Sequence, residues 1–94
     1  MKKYELMTLV KGSAGEKEAK QVSDKVAEHI ESLKGKVENK DFWGKRKLAY
    51  NIRQETDGYY EVIDFEVPKD QIKKLKSKLN LMDNLVRYII AAKS

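Results

Sequence analysis

Twice along this 94-residue chain, the spacing of apolar residues changes from a two-residue period to a helical period and back, and this order constrains the fold. Residues 3–10 and 59–67 alternate between two faces, which is typical of strands. Between residues 16 and 34 the apolar side chains recur at steps of three and four, which predicts an amphipathic helix. The predicted elements are strands at 3–10, 36–53, 59–67 and 85–92, and helices at 16–34 and from Pro68 to 79.

The order strand, helix, strand, strand, helix, strand describes two split crossover units. It predicts an α+β fold of the ferredoxin-like βαββαβ type, with a four-stranded antiparallel sheet and two helices on one face. A chain of this length supports one hydrophobic core, so we expect residues 1–94 to form a single domain.

Two helices cover only one face of such a sheet, which leaves the other face and the edge strands free for a partner. The alternation places Met7, Leu9, Tyr60 and Val62 on the free face as exposed apolar or aromatic side chains. One interpretation of this group of exposed side chains is a surface for a protein contact or for base stacking. The simpler interpretation is the ordinary scatter of apolar residues over a protein surface.

The segment Phe42–Ile52 holds the single tryptophan, Trp43, and the longest run of consecutive positive charge, Lys45–Lys47. One interpretation is a twisted edge strand whose lysines prevent aggregation. The other is a surface that meets a polyanion.

The apolar residues of this strand change parity along its length. Val37 is odd-numbered, whereas Leu48, Tyr50 and Ile52 are even-numbered, so one regular strand cannot direct all of them to the core. We therefore predict a bulge or bend near Gly44. We expect the three even-numbered residues to anchor the core and the basic run to pair partly with helix carboxylates.

Two glycines mark predicted turns. Gly35 follows the first helix where a left-handed cap residue is expected. The segment from Gln54 to Gly58 ends in Asp-Gly, a strong hairpin signal, and is the predicted turn between the second and third strands.

The amino-acid composition limits which partners the protein is expected to bind and in which cellular compartment it is expected to lie. The net charge of +5 fits a nucleic-acid or other acidic partner. There is no cysteine for a disulfide framework or a thiolate metal site, no signal-peptide pattern and no apolar run near the roughly 18 residues of a membrane span. We expect a cytoplasmic protein with no membrane partner.

Several lysine and arginine residues lie near the ends of the predicted strands or in the basic run Lys45–Lys47. The first and last strands are neighbours in a ferredoxin-like sheet, so Lys2, Lys3, Arg87 and Lys93 are expected to converge on one side. Arginine binds phosphate through two parallel hydrogen bonds, and lysine supplies a point charge. The lysines of the second helix spread around more than one helical face, which is typical of a solvated surface.

The residues suited to catalysis are few. His29 is the only histidine, and it lies on a charged helix. The chain has no phosphate-binding glycine motif, zinc pattern or calcium loop. The sequence therefore predicts a protein that is not an enzyme, with no cofactor, no metal and no small-molecule substrate.

Five segments, taken together and in register, resemble one family. They are Lys3-Tyr4-Glu5, Gly44–Ile52 (a glycine and basic residues followed by Leu-Ala-Tyr-x-Ile), Gly58-Tyr59-Tyr60, Phe65-Glu66-Val67-Pro68, and Asp83-Asn84 ahead of Arg87. Over nearly its whole length the chain resembles the bacterial small-subunit ribosomal protein number six family.

The resemblance implies a ferredoxin-like fold and a ribosomal role: binding the central domain of small-subunit rRNA together with ribosomal protein number eighteen. It implies rRNA contacts at Lys2, Lys3 and Arg87 and a partner contact at Tyr60. Together with the positive charges and the free-face residues described above, this gives two predicted sets. The predicted rRNA-binding set is Lys2, Lys3, Arg87, Lys93, Arg46 and Lys47. The predicted protein-partner set is Met7, Leu9, Trp43, Tyr60 and Val62.

Two other functions are compatible with the same topology. A single-strand RNA-binding module of the RNA-recognition-motif type stacks bases on aromatics of strands one and three, but here Asp64 and Glu66 share the open face of strand three and would repel phosphate. An acylphosphatase-like enzyme needs a glycine-rich loop with an arginine after strand one, and the segment Lys11–Gly15 has no arginine.

Overall fold

The computed structural model describes residues 1–93. Its elements are β1 (Lys2–Lys11), α1 (Glu16–Ser32), β2 (Lys36–Ile52), β3 (Glu55–Val67), α2 (Ile72–Asn80) and β4 (Leu85–Ala92), with short 3-10 turns at Gly12–Ala14 and Lys69–Gln71. The element order and the bounds of β4 are those that the sequence predicts, and the other bounds shift by a few residues.

The four strands form one antiparallel sheet in the order β2-β3-β1-β4. The central strands are therefore β3 and β1, and β1 lies beside β4 as expected. The predicted ferredoxin-like fold is confirmed.

The hydrophobic core lies between the sheet and the two helices. Leu6, Ile63 and Phe65 from the sheet are fully buried against Ile30 of α1 and Leu75 of α2. The rings of Tyr4 and Phe65 also stack, with centroids 5.5 Å apart. The opposite side of the sheet, which we call the open face, has no helix over it.

A bulge interrupts β2 at the predicted place. Phe42 pairs with Glu61 and Gly44 pairs with Tyr60, so Trp43 is the extra residue between them. Gly44 has φ of 82°, a conformation that glycine adopts without steric cost. The prediction of a bulge near Gly44 is confirmed, and a second register shift occurs between Val37 and Asn39.

The prediction that Leu48, Tyr50 and Ile52 anchor the core is wrong. Tyr50 is 61% exposed, and the other two are only half-buried. β1 reaches along β3 only as far as Gly58, so the end of the β2–β3 hairpin extends beyond the neighbouring strand. The odd or even numbering of the β2 residues cannot show how far β1 extends along the hairpin.

The turn of that hairpin also differs from the prediction. It is formed by Arg53 and Gln54, which have φ of 51° and 66°, whereas Asp57 and Gly58 lie inside β3. Gly58 is required for another reason: a Cβ atom there would overlap the side chain of Leu9.

The left-handed residue after α1 is Lys34, with φ of 67°, rather than Gly35. The N–H of Gly35 donates to the carbonyl of Ile30 at 2.9 Å, and the N–H of Lys34 donates to that of Glu31 at 3.1 Å, which closes the helix as a Schellman motif. Gly35 fits there because a Cβ atom would lie 2.6 Å from the carbonyl oxygen of Glu66.

Candidate functional site

The strand register arranges the open face in rows of side chains that cross the sheet from β2 towards β4. From one end of the sheet to the other, these rows are Arg46–Gly58–Lys11, Gly44–Tyr60–Leu9–Arg87, Asp41–Val62–Met7–Ile89, Asn39–Asp64–Glu5–Ala91 and Lys36–Glu66–Lys3. Charge therefore changes along the strands from arginine through apolar and acidic rows to lysine.

The lysine end of the open face brings together Lys3 and Lys93, and Lys2, opposite Val67, lies at the same end of the sheet but on its helix side. The backbone N–H of Lys93 donates to the carbonyl of Lys3 at 2.9 Å, and Lys2 is the adjacent, exposed residue. The Nζ of Lys93 lies 3.2 Å from Asp64, and the Nζ of Lys3 lies 4.0 Å from Glu38. Such exposed ion pairs contribute at most about 1 kcal/mol each, so an incoming phosphate can replace the carboxylate.

Arg87 does not join this group, and the expected convergence of all four cations is wrong. Arg87 pairs with Leu9, near the far end of β1 from Lys3. Six residues of strand, at roughly 3.4 Å each, separate these two rows by about 20 Å. Because β1 and β4 run antiparallel, a residue of β4 lies beside a given residue of β1 only where the register pairs the two.

Arg46 and Arg87 form the arginine end of the open face. The Nη1 of Arg87 donates to the hydroxyl of Tyr50 at 3.2 Å. Arg46 lines a concavity of about 460 Å³ with Trp43 and Tyr60. The two aromatic rings have centroids 6.3 Å apart, so Arg46 shares this concavity with a pair of aromatic side chains.

The basic run is divided between the two faces of the sheet. Arg46 lies opposite Gly58 on the open face, whereas Lys45 and Lys47 lie opposite Tyr59 and Asp57 on the helix side. The Nζ of Lys45 is 3.5 Å from the carboxylate of Asp57. The expected pairing of this run with helix carboxylates is wrong, since the observed partner belongs to β3.

The predicted protein-partner residues form an apolar strip beside the arginine end. Met7, Val62 and Tyr60 are half-buried, and Ile89 beside Met7 is 58% exposed. The prediction that Leu9 is exposed is wrong: it is 2% exposed because it packs over Gly58 and between its row neighbours.

Ile89 is not among the predicted partner residues, although its parity in β4 is a signal that it belongs to this face. Ile89 has the same parity as Arg87 in β4, so it lies on the same face of the sheet. Its cross-strand neighbour is Met7 of the predicted partner set.

An acidic row separates the apolar strip from the lysine end. Glu5 lies directly opposite Asp64 in this row, and Glu66 follows on the same face of β3, within the row of Lys36 and Lys3. These carboxylates repel phosphate where an RNA-recognition-motif module stacks its bases. The arrangement disfavours that alternative.

The residues considered for catalysis do not assemble into a reactive site. Burial lowers the pKa of His29, and the charges of Lys78 and Lys25 lower it further. In the turn after β1, the backbone N–H and hydroxyl of Ser13 donate to the carboxylate of Glu55 at 3.0 and 3.1 Å. An acylphosphatase-like enzyme would bind phosphate in this turn, but a carboxylate of the chain's own already uses its donors.

Residues 1–93 contain no group of three or more His, Cys, Asp or Glu side chains placed to hold a metal ion. None of their helices is both long enough and apolar enough to cross a membrane.

Comparison with known proteins gives a consistent result. The family model described as "Ribosomal protein S6" matches residues 3–92. The chain is 39% identical to the "Small ribosomal subunit protein bS6" of Dictyoglomus turgidum, over 96% of this chain and 93% of that protein. It is also 39% identical to the protein of the same name from Clostridium perfringens, over 96% of this chain and 95% of that protein.

A solved structure agrees with these sequence matches. The crystal structure of the 30S ribosomal protein S6 from Thermotoga maritima superposes with a TM-score of 0.92 at 26% identity. The match covers 98% of this chain and 87% of that one.

Proposed function

The chain belongs to the ribosomal protein S6 family, and we propose that within the small ribosomal subunit it binds the central domain of the rRNA together with ribosomal protein number eighteen. Membership of the family makes it a structural component of the ribosome, which is cytoplasmic in bacteria. The proposal assigns separate parts of the open face to the RNA and to the protein partner.

The observation that carries the RNA contact is the convergence of Lys3 and Lys93 at one end of the open face, with Lys2 beside Lys3 at the same end of the sheet but on its helix side. Their ammonium groups are suited to phosphate and sugar contacts that position the protein on folded RNA without reading base edges. Lys36 lies in the row of Lys3 and adds a fourth cation.

Arg46 and Arg87 are proposed as a second RNA contact at the opposite end of the open face. Their guanidinium groups are suited to bidentate phosphate binding. Lys47 belonged to the predicted RNA-binding set, but the register places it on the helix side of the sheet. The proposal therefore does not include it.

The protein partner is proposed to cover the apolar strip of Met7, Tyr60, Val62 and Ile89. A group of exposed apolar side chains flanked by charged rows is typical of a protein contact. Leu9 is buried beside Tyr60 in the same row, and Trp43 lies at the margin of the strip beside Arg46.

If both partners bind this face, each should strengthen the binding of the other. We expect the isolated chain to bind a central-domain rRNA fragment weakly, and added ribosomal protein number eighteen to tighten binding tenfold or more, about 1.4 kcal/mol of coupling. Filter binding with and without the partner measures this. Equal affinities would contradict the proposal.

Two variants separate the RNA contact from the protein contact. Lys3→Ala with Lys93→Ala should weaken RNA binding and lower the salt dependence of the affinity by about one to two counterions. Lys73→Ala with Lys74→Ala, at two exposed positions of α2, removes the same charge and is the matched control. Tyr60→Ala should leave the RNA affinity of the free chain unchanged and weaken partner binding, whereas loss of RNA affinity would favour the RNA-recognition-motif alternative.

A further inference from the structure

The second helix and the turn before it carry most of the net positive charge of the chain. Residues 69–78 contain five lysines and one aspartate, which is a net charge of +4, whereas the whole chain has +5. Four of these lysines are exposed and the fifth is half-buried, and we call the group the α2 lysines: Lys69, Lys73, Lys74, Lys76 and Lys78. In the described part of the chain, residues 1–93, none of them is in an ion pair.

The energetics of an isolated helix oppose this arrangement. Lys73 and Lys74 lie in the first turn of α2, which has no acidic residue, and cations there are unfavourable beside the positive end of the helix dipole. Lys74 and Lys78 are four residues apart on one side of the helix, and like charges at that spacing destabilise it. Residues that break local rules without a gain in stability are expected at functional sites.

The first helix of the same chain shows that solvation does not require such a surface. α1 has five acidic residues and three lysines, and two of its acidic residues lie in its first turn. The Nζ of Lys25 lies 3.8 Å from the carboxylate of Glu28 on its exposed side. Mixed charges therefore keep α1 solvated, whereas the uniform charge of α2 indicates an anionic ligand.

The side chains of α2 indicate which anion fits. Lysine is depleted in protein interfaces and is common in contacts to nucleic-acid phosphates. Leu75 and Leu79 are buried in the core, so the helix has no apolar side left to enter a membrane surface or a protein groove. None of residues 72–80 is aromatic, so the helix cannot stack unpaired bases. These features favour the phosphate backbone of a duplex.

We propose that the α2 lysines bind the phosphate backbone of an RNA duplex outside the central-domain site. The inference goes beyond the proposed function, because α2 packs on the side of the sheet opposite to the open face and one chain can therefore hold two RNA segments at once. The helix is about 14 Å long, so it engages only a few phosphates. The contact is independent of sequence and weakens as salt is added.

Two double variants test this assignment. The probe is a short RNA hairpin unrelated to the central domain, and fluorescence anisotropy measures its affinity at several salt concentrations. Lys73→Ala with Lys74→Ala should weaken hairpin binding several-fold and lower the slope of log affinity against log salt by about two. Lys3→Ala with Lys93→Ala removes the same charge elsewhere and should change hairpin binding little. For the central-domain fragment, the order of the two variants should reverse.

The α2 variant is not expected to lose its fold. Alanine has a higher helix propensity than lysine, and both changes remove repulsion, so the midpoint of thermal unfolding should stay the same or rise. Lys73→Arg with Lys74→Arg keeps the charge and should keep the affinity for the hairpin. Binding that is lost in the alanine variant and kept in the arginine variant assigns the contact to the positive charge of α2.

Three results would overturn the inference. The first is an unchanged hairpin affinity in the α2 alanine variant. The second is an equal loss in both alanine variants, which would show diffuse attraction by the net charge of the chain. The third is a poly-glutamate chain of equal charge that binds α2 more tightly than the hairpin does, which would assign the helix to an acidic protein. Failure of the unaltered chain to bind the central-domain fragment with ribosomal protein number eighteen contradicts the proposed function alone.

Discussion

At the scale of single residues, Gly58 connects the sequence most directly to packing. It lies inside β3, where Leu9 of β1 passes over it and the carbonyl oxygen of Val10 would be 2.9 Å from an added Cβ atom. The absence of a side chain at Gly58 is what allows Leu9 to be buried on a face that no helix covers.

We predict that Gly58→Ala lowers the free energy of unfolding by about 1–3 kcal/mol, because the added methyl group overpacks this contact. Urea denaturation measures the loss. In the double variant with Leu9→Ala, the total loss should be smaller than the sum of the two single losses, since the clash is removed. Strict additivity would show that Leu9 is not the obstacle.

A second residue-scale feature is the buried carboxyl of Glu61, which lies on the helix side of the sheet and is 6% exposed. Burial raises the pKa of this carboxyl above its ordinary value, and the charges of Asp24 and Asp41 raise it further. The side chain of Ser23 and the charge of Lys40 act in the opposite direction.

The sign of the stability effect follows from that raised pKa. The folded state holds the proton more tightly than the unfolded state does, so the stabilisation by the neutral carboxyl is present at low pH and is lost as the pH rises through the raised pKa. We predict that Glu61→Gln raises the free energy of unfolding at pH 7 by about 1 kcal/mol and has a smaller effect at pH 4.

Denaturant melts of both proteins at the two pH values test this. Glu31→Gln, at an exposed position of α1, gives the baseline for removing a carboxylate. Equal differences at pH 4 and pH 7 would show that the charge on Glu61 is not responsible.

At the scale of elements, the β2–β3 hairpin determines how the open face ends. Its strands run 17 and 13 residues, whereas β1 has 10 and β4 has 8, so its tip extends past the sheet. Tyr50 on the extension reaches back to Arg87 through its hydroxyl. The hairpin therefore helps to position the arginine end.

The turn of this hairpin places two residues with side chains in the left-handed region. Arg53 and Gln54 both have positive φ, as a type I′ turn requires, and Asn-Gly is the pair best suited to it. We predict that Arg53→Asn with Gln54→Gly raises the free energy of unfolding by about 1 kcal/mol. Thermal denaturation measures the gain, and Thr56→Gly, at an exposed strand position, should instead lower stability.

At the scale of the whole molecule, the two faces of the sheet have different roles. The helix side holds the fold together through a core centred on Phe65, which stacks on Tyr4 and is fully buried. The open face contributes little to this core and presents its charge rows to partners.

We predict that Phe65→Ala lowers the free energy of unfolding by about 3–5 kcal/mol, a large part of the 5–15 kcal/mol typical of a domain. Ile89→Ala, on the open face, should lower it by less than about 1 kcal/mol while weakening binding to the protein partner. Equilibrium denaturation of both variants tests whether the helix side of the sheet, and not the open face, determines stability. A similar stability loss for the two would show that the open face is part of the core.

The sequence by itself determined the element order, the ferredoxin-like fold, the bulge at Gly44 and the family. Each of these depends on local signals: the period of apolar residues, a glycine at a parity break, and motifs in register. The same alternation placed Met7, Tyr60 and Val62 on the open face, because side-chain parity is a property of the strand alone.

Only the tertiary structure decided which cations lie together, where the hairpin turns, and that Leu9 is buried. Arg87 lies about 20 Å from Lys3 because the register between β1 and β4 places it beside Leu9. Gly58 serves packing rather than a turn because β1 crosses it. Such facts depend on contacts between residues distant in the chain, and local patterns carry no information on where one strand ends against another.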